Sequence, residues 1–247
     1  MGQEVVSEKR LISQAKQLPL FLALPEFTSL DEFCWGENQY LEYALKQSLE
    51  GKGERFFYLW GRPGSGKSHL LQGCCLAAPS PEKALYLPLA LLKDYGPESV
   101  QDIVPESYDL ITLDDIDSIA GLPAWEEVIF NWFRRLKDQG STLCMVSGQV
   151  APVHSPLKLA DLRSRLNLGL VIQLHELSDE SKLLTLQHYA LQCGLVLSEK
   201  VGVYLLTHYS RNMHALREFL KKLDKASLAE QRKLSIPFVK EVANQKS

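Results

Sequence analysis

The chain has 247 residues, 45% of them apolar, and a formal net charge of −3; that length suffices for an α/β domain of about 150 residues with a smaller one attached. The acidic balance argues against a dedicated nucleic-acid binder, whose affinity rests on neutralising phosphates. No stretch approaches the ~20 uninterrupted apolar residues of a membrane span, the polar start Met1 to Lys9 does not read as a signal peptide, and the expectation is a soluble, cytoplasmic chain with no membrane partner. The five cysteines, Cys34, Cys74, Cys75, Cys144 and Cys193, are odd in number and form no C-x-x-C pair, so neither a disulfide framework nor a zinc site follows.

In chain order, residues 1–28 lack a sustained period and carry Pro19 and Pro25, which predicts a flexible or partner-bound tail. From 29 to 174 apolar runs alternate with helical patterns. The predicted strands are Phe56–Trp60, Ala84–Leu87, Leu110–Leu113, Leu143–Ser147 and Leu170–Leu174, each separated by enough chain for a helix. Such alternation implies an α/β fold, a parallel five-stranded sheet between helices, with ligands held beyond the carboxyl ends of the strands.

The first predicted strand runs into Gly61-Arg62-Pro63-Gly64-Ser65-Gly66-Lys67-Ser68, which meets the phosphate-loop pattern G-x-x-x-x-G-K-[ST] at every fixed position. A strand, a glycine-rich turn and a helix start at Lys67, Ser68 and His69 aim backbone N–H groups and the positive end of a helix at one point, which suits a polyphosphate. Lys67 is expected on the outer phosphates and the Ser68 hydroxyl on Mg²⁺. The run Leu110 to Asp115 then delivers two adjacent carboxylates at a strand end, as the Walker B element does. Asp114 would hold Mg²⁺, often through water, and Asp115 sits where a water-polarising carboxylate acts.

After residue 174 the pattern is helical only, which predicts a small all-α domain over 175–247. Ser178 caps a first helix with Asp179 and Glu180 in its opening turn, and Gly194 stops it. Ser198-Glu199 opens a second helix through about Tyr209. Met213, Leu216, Leu220 and Leu223 mark a third at core-forming spacing, and Ile236 to Val242 a fourth, with Pro237 in its first turn. Residues Arg211 to Ser247 carry nine Lys or Arg against four acids, which reads as a solvated helical face or as a contact surface for DNA or an acidic partner.

These features together resemble the AAA+ family, in the branch of the bacterial replication initiator DnaA. The carriers are Phe33-Cys34-Trp35-Gly36-Glu37-Asn38, the phosphate loop, Leu113-Asp114-Asp115-Ile116, and the box from Leu162 to Leu170 with its Ser164-Arg165-Leu166 core. DnaA continues into a helix-turn-helix domain that reads duplex DNA, whereas this sequence ends after the lid. Within the branch it is similar to a regulator that inactivates the initiator, through Trp125 to Phe130, Leu177 to Leu183 and Ile236 to Glu241.

The resemblance implies roles for individual residues. Arg165 falls on the arginine finger, which neutralises charge developing on a γ-phosphate and, supplied in trans, is worth about 10³–10⁵ in rate. Ser147 falls on the sensor I position, although a small strand-end residue explains it nearly as well. Sensor II is usually the arginine of Asn-x-Arg, and here the triplet is Asn212-Met213-His214, with Arg211 or Arg217 as substitutes. Trp35 lies in the segment that the family places near the adenine. Gln17-Leu18-Pro19-Leu20-Phe21 is similar to the peptide by which replication proteins dock on the sliding clamp: Leu20 and Phe21 fill an apolar pocket and Gln17 fixes register.

The implied function is that of a non-enzymatic regulator holding ADP or ATP with Mg²⁺, with possible homo-oligomers. It would meet DNA only through the clamp and promote hydrolysis of ATP on the ATP form of DnaA, so repressing re-initiation. Two alternatives remain at this level: a stand-alone AAA+ ATPase that loads or remodels a helicase, and a DNA-binding initiator relative.

Overall fold

The computed structural model describes Leu30 and residues 33–244. The tail and its clamp-like residues Gln17, Leu18, Leu20 and Phe21 lie outside the described residues. Two compact units emerge. One comprises Ala44–Trp60 and Lys67–Gln173; the other comprises Cys34–Tyr43, Gly61–Gly66 and the chain from Leu174 onward. The unit boundary falls within the first long helix, α1 (Gln39–Leu49).

In the first unit, β1 (Phe56–Trp60), β2 (Ala84–Pro88), β3 (Leu110–Asp114), β4 (Leu143–Gly148) and β5 (Leu170–Gln173) form one parallel sheet in the order β2-β3-β4-β1-β5. Every residue of β3 and β4 is buried, as expected for central strands covered on both faces. All five strands fall within one residue of the predicted bounds, and β3 extends to include Asp114 itself.

The helices between strands differ from the expectation in one place. α2 (Lys67–Ala77) follows β1, and α5 (Pro123–Gln139) and α6 (Ala160–Leu166) follow β3 and β4. Between β2 and β3, however, the chain makes only single turns, α3 (Leu89–Leu92) and α4 (Glu98–Gln101) and the 3₁₀ turns Lys93–Tyr95 and Pro105–Ser107. Pro88, Pro97 and Pro105 punctuate that stretch, and a proline inside a helix removes a backbone bond and clashes with the preceding turn. The core on this side is filled by Tyr58, Leu87, Ile111, Leu113, Trp125, Ile129, Val146, Leu162 and their neighbours.

In the second unit, α7 (Asp179–Gln192), α8 (Glu199–His208), α9 (Met213–Glu230) and α10 (Ile236–Asn244) pack around Leu186, Leu205, Leu216, Leu220, Leu223 and Phe238, all fully buried. Their caps follow the sequence. Ser178 Oγ accepts the Ser181 N–H at 3.1 Å, Asn212 Oδ1 accepts that of Ala215 at 3.1 Å, and Gly194 stops α7 with φ +76°. No helix among the described residues is long and apolar enough to cross a membrane.

Candidate nucleotide-binding site

The sheet order brings the carboxyl ends of β3 and β4 side by side, with β4 between β3 and β1. Leu113 lies opposite Val146 in this register, so Asp114 and Ser147 follow as neighbours. Asp114 is 4% exposed and both of its oxygens accept hydroxyls: Oδ1 from Ser147 Oγ at 2.5 Å and Oδ2 from Tyr86 Oη at 2.8 Å. Ser147 Oγ also accepts the Asp115 N–H at 2.9 Å. A small strand-end hydroxyl thus organises both acidic residues.

Asp115 turns the chain out of β3 with φ 57° and ψ 56°, a left-handed conformation that few residues other than glycine, asparagine and aspartate tolerate. Burial pushes its carboxyl up from the ordinary value of 3.8, the Asp114 charge adds to the rise, and the Lys67 charge opposes it. A carboxyl raised in this way is better suited to accept a proton from a bound water than an ordinary aspartate. Asp117, absent from the sequence reading, adds a third carboxylate; it accepts the Gln149 N–H at 2.5 Å and the Ser155 hydroxyl at 3.2 Å.

Lys67 opens α2 and is 6% exposed. Burial lowers the pKa of its ammonium, while the charges of Asp115, Asp114 and Asp117 oppose that shift. A buried cation beside a cluster of anions is the electrostatic setting in which a polyphosphate with its divalent cation gains most. Ser68 is exposed at the same helix start, and His69 is half-buried with its ring 5.7 Å from that of Phe33.

The loop before Lys67 fits a phosphate group on its own geometry. Gly64 and Gly66 have φ +87° and +95°, where side chains are disfavoured and successive N–H groups converge. Ser65 Oγ is buried with no hydrogen-bond partner among the described residues, and such an atom is expected to meet a ligand or water. A Cβ at Gly61 would lie 2.5 Å from the Leu174 carbonyl oxygen, so only glycine permits that approach. Pro63 is exposed at the turn.

The remaining predicted residues divide by unit. Trp35 is half-buried and its carbonyl accepts the Asn38 N–H at 2.7 Å; the Asn38 amide in turn pairs with the backbone of His175 in both directions. His214 lies in the first turn of α9, just after Asn212, whose Nδ2 would be 3.6 Å from a Cβ on Gly64. The two arginines that could stand in for sensor II are engaged: Arg211 pairs with Asp179, and the Arg217 guanidinium lies 4.7 Å from the centre of the Tyr189 ring.

Arg165 is placed apart from this cluster. It sits in the last turn of α6, with Cζ 6.0 Å from the Phe130 ring centre, and lines a cavity of about 280 Å³ with Phe56, Phe133 and Cys144. Phe56 begins β1 and Cys144, its partner, is the second residue of β4, whereas Asp114 and Ser147 stand near the strand ends, roughly 10–13 Å away along strands that rise ~3.3 Å per residue. The helix is held by Glu126 on α5, which is 1% exposed. Its carboxylate accepts the N–H groups of Gly121 at 2.7 Å, Lys158 at 2.9 Å and Leu159 at 2.6 Å, the last being the cap residue of α6. Tyr86 and Glu126 escaped the sequence reading because each looks like an ordinary element residue until its partners are known.

A parallel sheet in this order, with a glycine loop after β1 and adjacent carboxylates after β3, defines the AAA+ class of P-loop proteins. Comparison with known proteins narrows the class. Residues 179–243 match the family model for the Hda lid domain. A protein of Haemophilus influenzae is 39% identical over 230 residues, covering 93% of this chain and 99% of that one. Domain III of the replication initiation protein DnaA from Thermotoga maritima superposes with a TM-score of 0.72 at 20% identity, covering 89% of this chain and 96% of that one. AMPPCP-bound DnaA from Aquifex aeolicus superposes with a TM-score of 0.68 at 23% identity, over 84% and 68% of the two chains. Residues 179–243 thus form an Hda lid domain, and the chain as a whole has the AAA+ fold of DnaA domain III.

Proposed function

We propose that this chain is a regulator that holds an adenine nucleotide and supplies Arg165 in trans to ATP bound by DnaA, while Gln17 to Phe21 tether it to the DNA-loaded sliding clamp. The observation that carries this reading is the position of Arg165: its surroundings lie at the amino ends of β1 and β4, and its own chain's Lys67, Asp114 and Asp115 lie at the carboxyl ends. A guanidinium so placed serves a neighbouring molecule's phosphates, where it stabilises charge that develops on the γ-phosphoryl group.

In this chain's own site the backbone N–H groups from Gly64 to Lys67 bind phosphate oxygens and the Lys67 ammonium offsets their charge. Ser68 and Asp114 would hold Mg²⁺, which supplies Lewis-acid neutralisation of the phosphates when bound. Asp115, with its raised carboxyl, orients a water. No arginine stands at the sensor II position, and Arg211 and Arg217 are tied to Asp179 and Tyr189. This favours retention of ADP over rapid turnover. The AMPPCP found on the Aquifex aeolicus DnaA supports an adenine nucleotide as the ligand here.

The intact set of Lys67, Asp114, Asp115 and Ser147 also supports a second reading, a self-sufficient ATPase that loads or remodels a helicase. The deciding experiment measures ATP hydrolysis by DnaA with clamp-loaded DNA in the presence of wild type, Arg165→Ala, and a Gln17→Ala, Leu20→Ala, Phe21→Ala variant. Stimulation by wild type alone is the expected result. Hydrolysis by this chain without DnaA, and none stimulated on DnaA, would transfer the assignment to the ATPase.

A further inference from the structure

We propose that Tyr86 is a positioning residue that, with Ser147, fixes the carboxylate of Asp114 as a Mg²⁺-holding side chain and sets a preference for Mg²⁺ over the larger Ca²⁺. The proposal rests on the nucleotide-binding reading above and deepens it. Tyr86 stands on β2 opposite Thr112 of β3, and two residues further along β3 Asp114 points to the same face of the sheet. That face meets α2, because Cys75 Sγ lies 3.4 Å from Thr112 Oγ1.

The Tyr86 hydroxyl donates to Asp114 Oδ2 at 2.8 Å. Ser147 holds the other oxygen of Asp114, so the carboxylate plane is fixed from β2 on one side and β4 on the other. Each oxygen keeps a second lone pair for a metal or its water.

Rigidity of this kind discriminates between cations. Mg²⁺ demands near-octahedral geometry at about 2.0–2.1 Å, whereas Ca²⁺ accepts looser shells at about 2.3–2.6 Å. A clamped carboxylate favours the former, and loosening it penalises Mg²⁺ more than Ca²⁺. Outer-shell partners of this type typically change metal affinity by about 10–100-fold.

The test uses the full chain as wild type and as Tyr86→Phe, with ADP affinity measured in Mg²⁺, in Ca²⁺ and in EDTA, alongside thermal denaturation of both proteins. The expected result is a loss of about tenfold in ADP affinity in Mg²⁺, with a smaller loss in Ca²⁺ and none in EDTA. An equal loss in all three media, or a melting temperature that falls with no change in the Mg²⁺-to-Ca²⁺ ratio, would make the phenol a general support of the fold and overturn the proposal. Unchanged affinity in Mg²⁺ would overturn it as well. Failure of wild type to bind ADP in any medium would instead remove the nucleotide reading on which it stands.

Discussion

Ser147 and Asp114 share a 2.5 Å hydrogen bond across β4 and β3, and the same serine oxygen accepts the Asp115 N–H at 2.9 Å. Ser147 is fully buried, so its hydroxyl cannot be replaced by bulk solvent. Ser147→Ala leaves a buried donor and a buried acceptor unmatched, at a cost of about 1–3 kcal/mol. For a chain of this size each kcal/mol lowers the melting temperature by about 2–4 °C. Calorimetry of the variant reads the effect directly, and an unchanged midpoint would deny the hydroxyl its supporting role.

Glu126 joins α5 to the start of α6 through three backbone N–H groups. Hydrogen bonds to a charged group are worth more than neutral ones, and Glu126→Gln both removes the charge and turns an NH₂ group toward donors. A destabilisation of about 2–3 kcal/mol follows. Because α6 carries Arg165, the variant assayed below its melting range should also lose stimulation of DnaA hydrolysis while still binding ADP. Full stimulation in a destabilised variant would mean that α6 holds Arg165 without this anchor.

The raised carboxyl of Asp115 makes a pH-dependent prediction. Its folded value lies above its unfolded one, so the folded state binds the proton more tightly, and the ionised form costs stability at neutral pH; the cost fades as the pH falls through the raised range toward the ordinary 3.8. Asp115→Asn should therefore melt a few degrees above wild type at pH 7 and converge with it in acid. Parallel curves at all pH values would show that the carboxyl is not raised.

Lys67 contributes a buried positive charge that only an anion with comparable charge density can use. Lys67→Met should keep the fold and lose the rise in melting temperature that ADP and Mg²⁺ confer on wild type. A ligand at 100 times its dissociation constant adds about 2.7 kcal/mol, so the contrast is easily read by thermal shift. An equal shift in the variant would place the ligand elsewhere.

Much of this molecule was legible in one dimension. The strand–loop–helix at Phe56 to Ser68, the carboxylates at the end of β3, and the four lid helices with their Ser178 and Asn212 caps follow from local rules: apolar period, turn chemistry and capping act over a few residues and leave direct traces in the order of side chains. The missing long helix between β2 and β3 was less visible, because apolar residues such as Leu89, Leu92 and Val100 fill the core from single turns as well as from a continuous helix.

What the amino-acid order determined by itself is the chemistry available: a glycine loop with a lysine, a pair of carboxylates, an arginine in its box. What the tertiary structure decided is which groups meet. Parallel register put Tyr86 and Ser147 on opposite oxygens of Asp114 from strands 28 and 33 residues away in sequence, and it put Arg165 beside Phe56 and Cys144 near the starts of β1 and β4, away from its own chain's Asp115. Such pairings depend on strand order and crossover direction. No local pattern encodes them, because they are settled only when the sheet closes its hydrogen bonds and buries both faces.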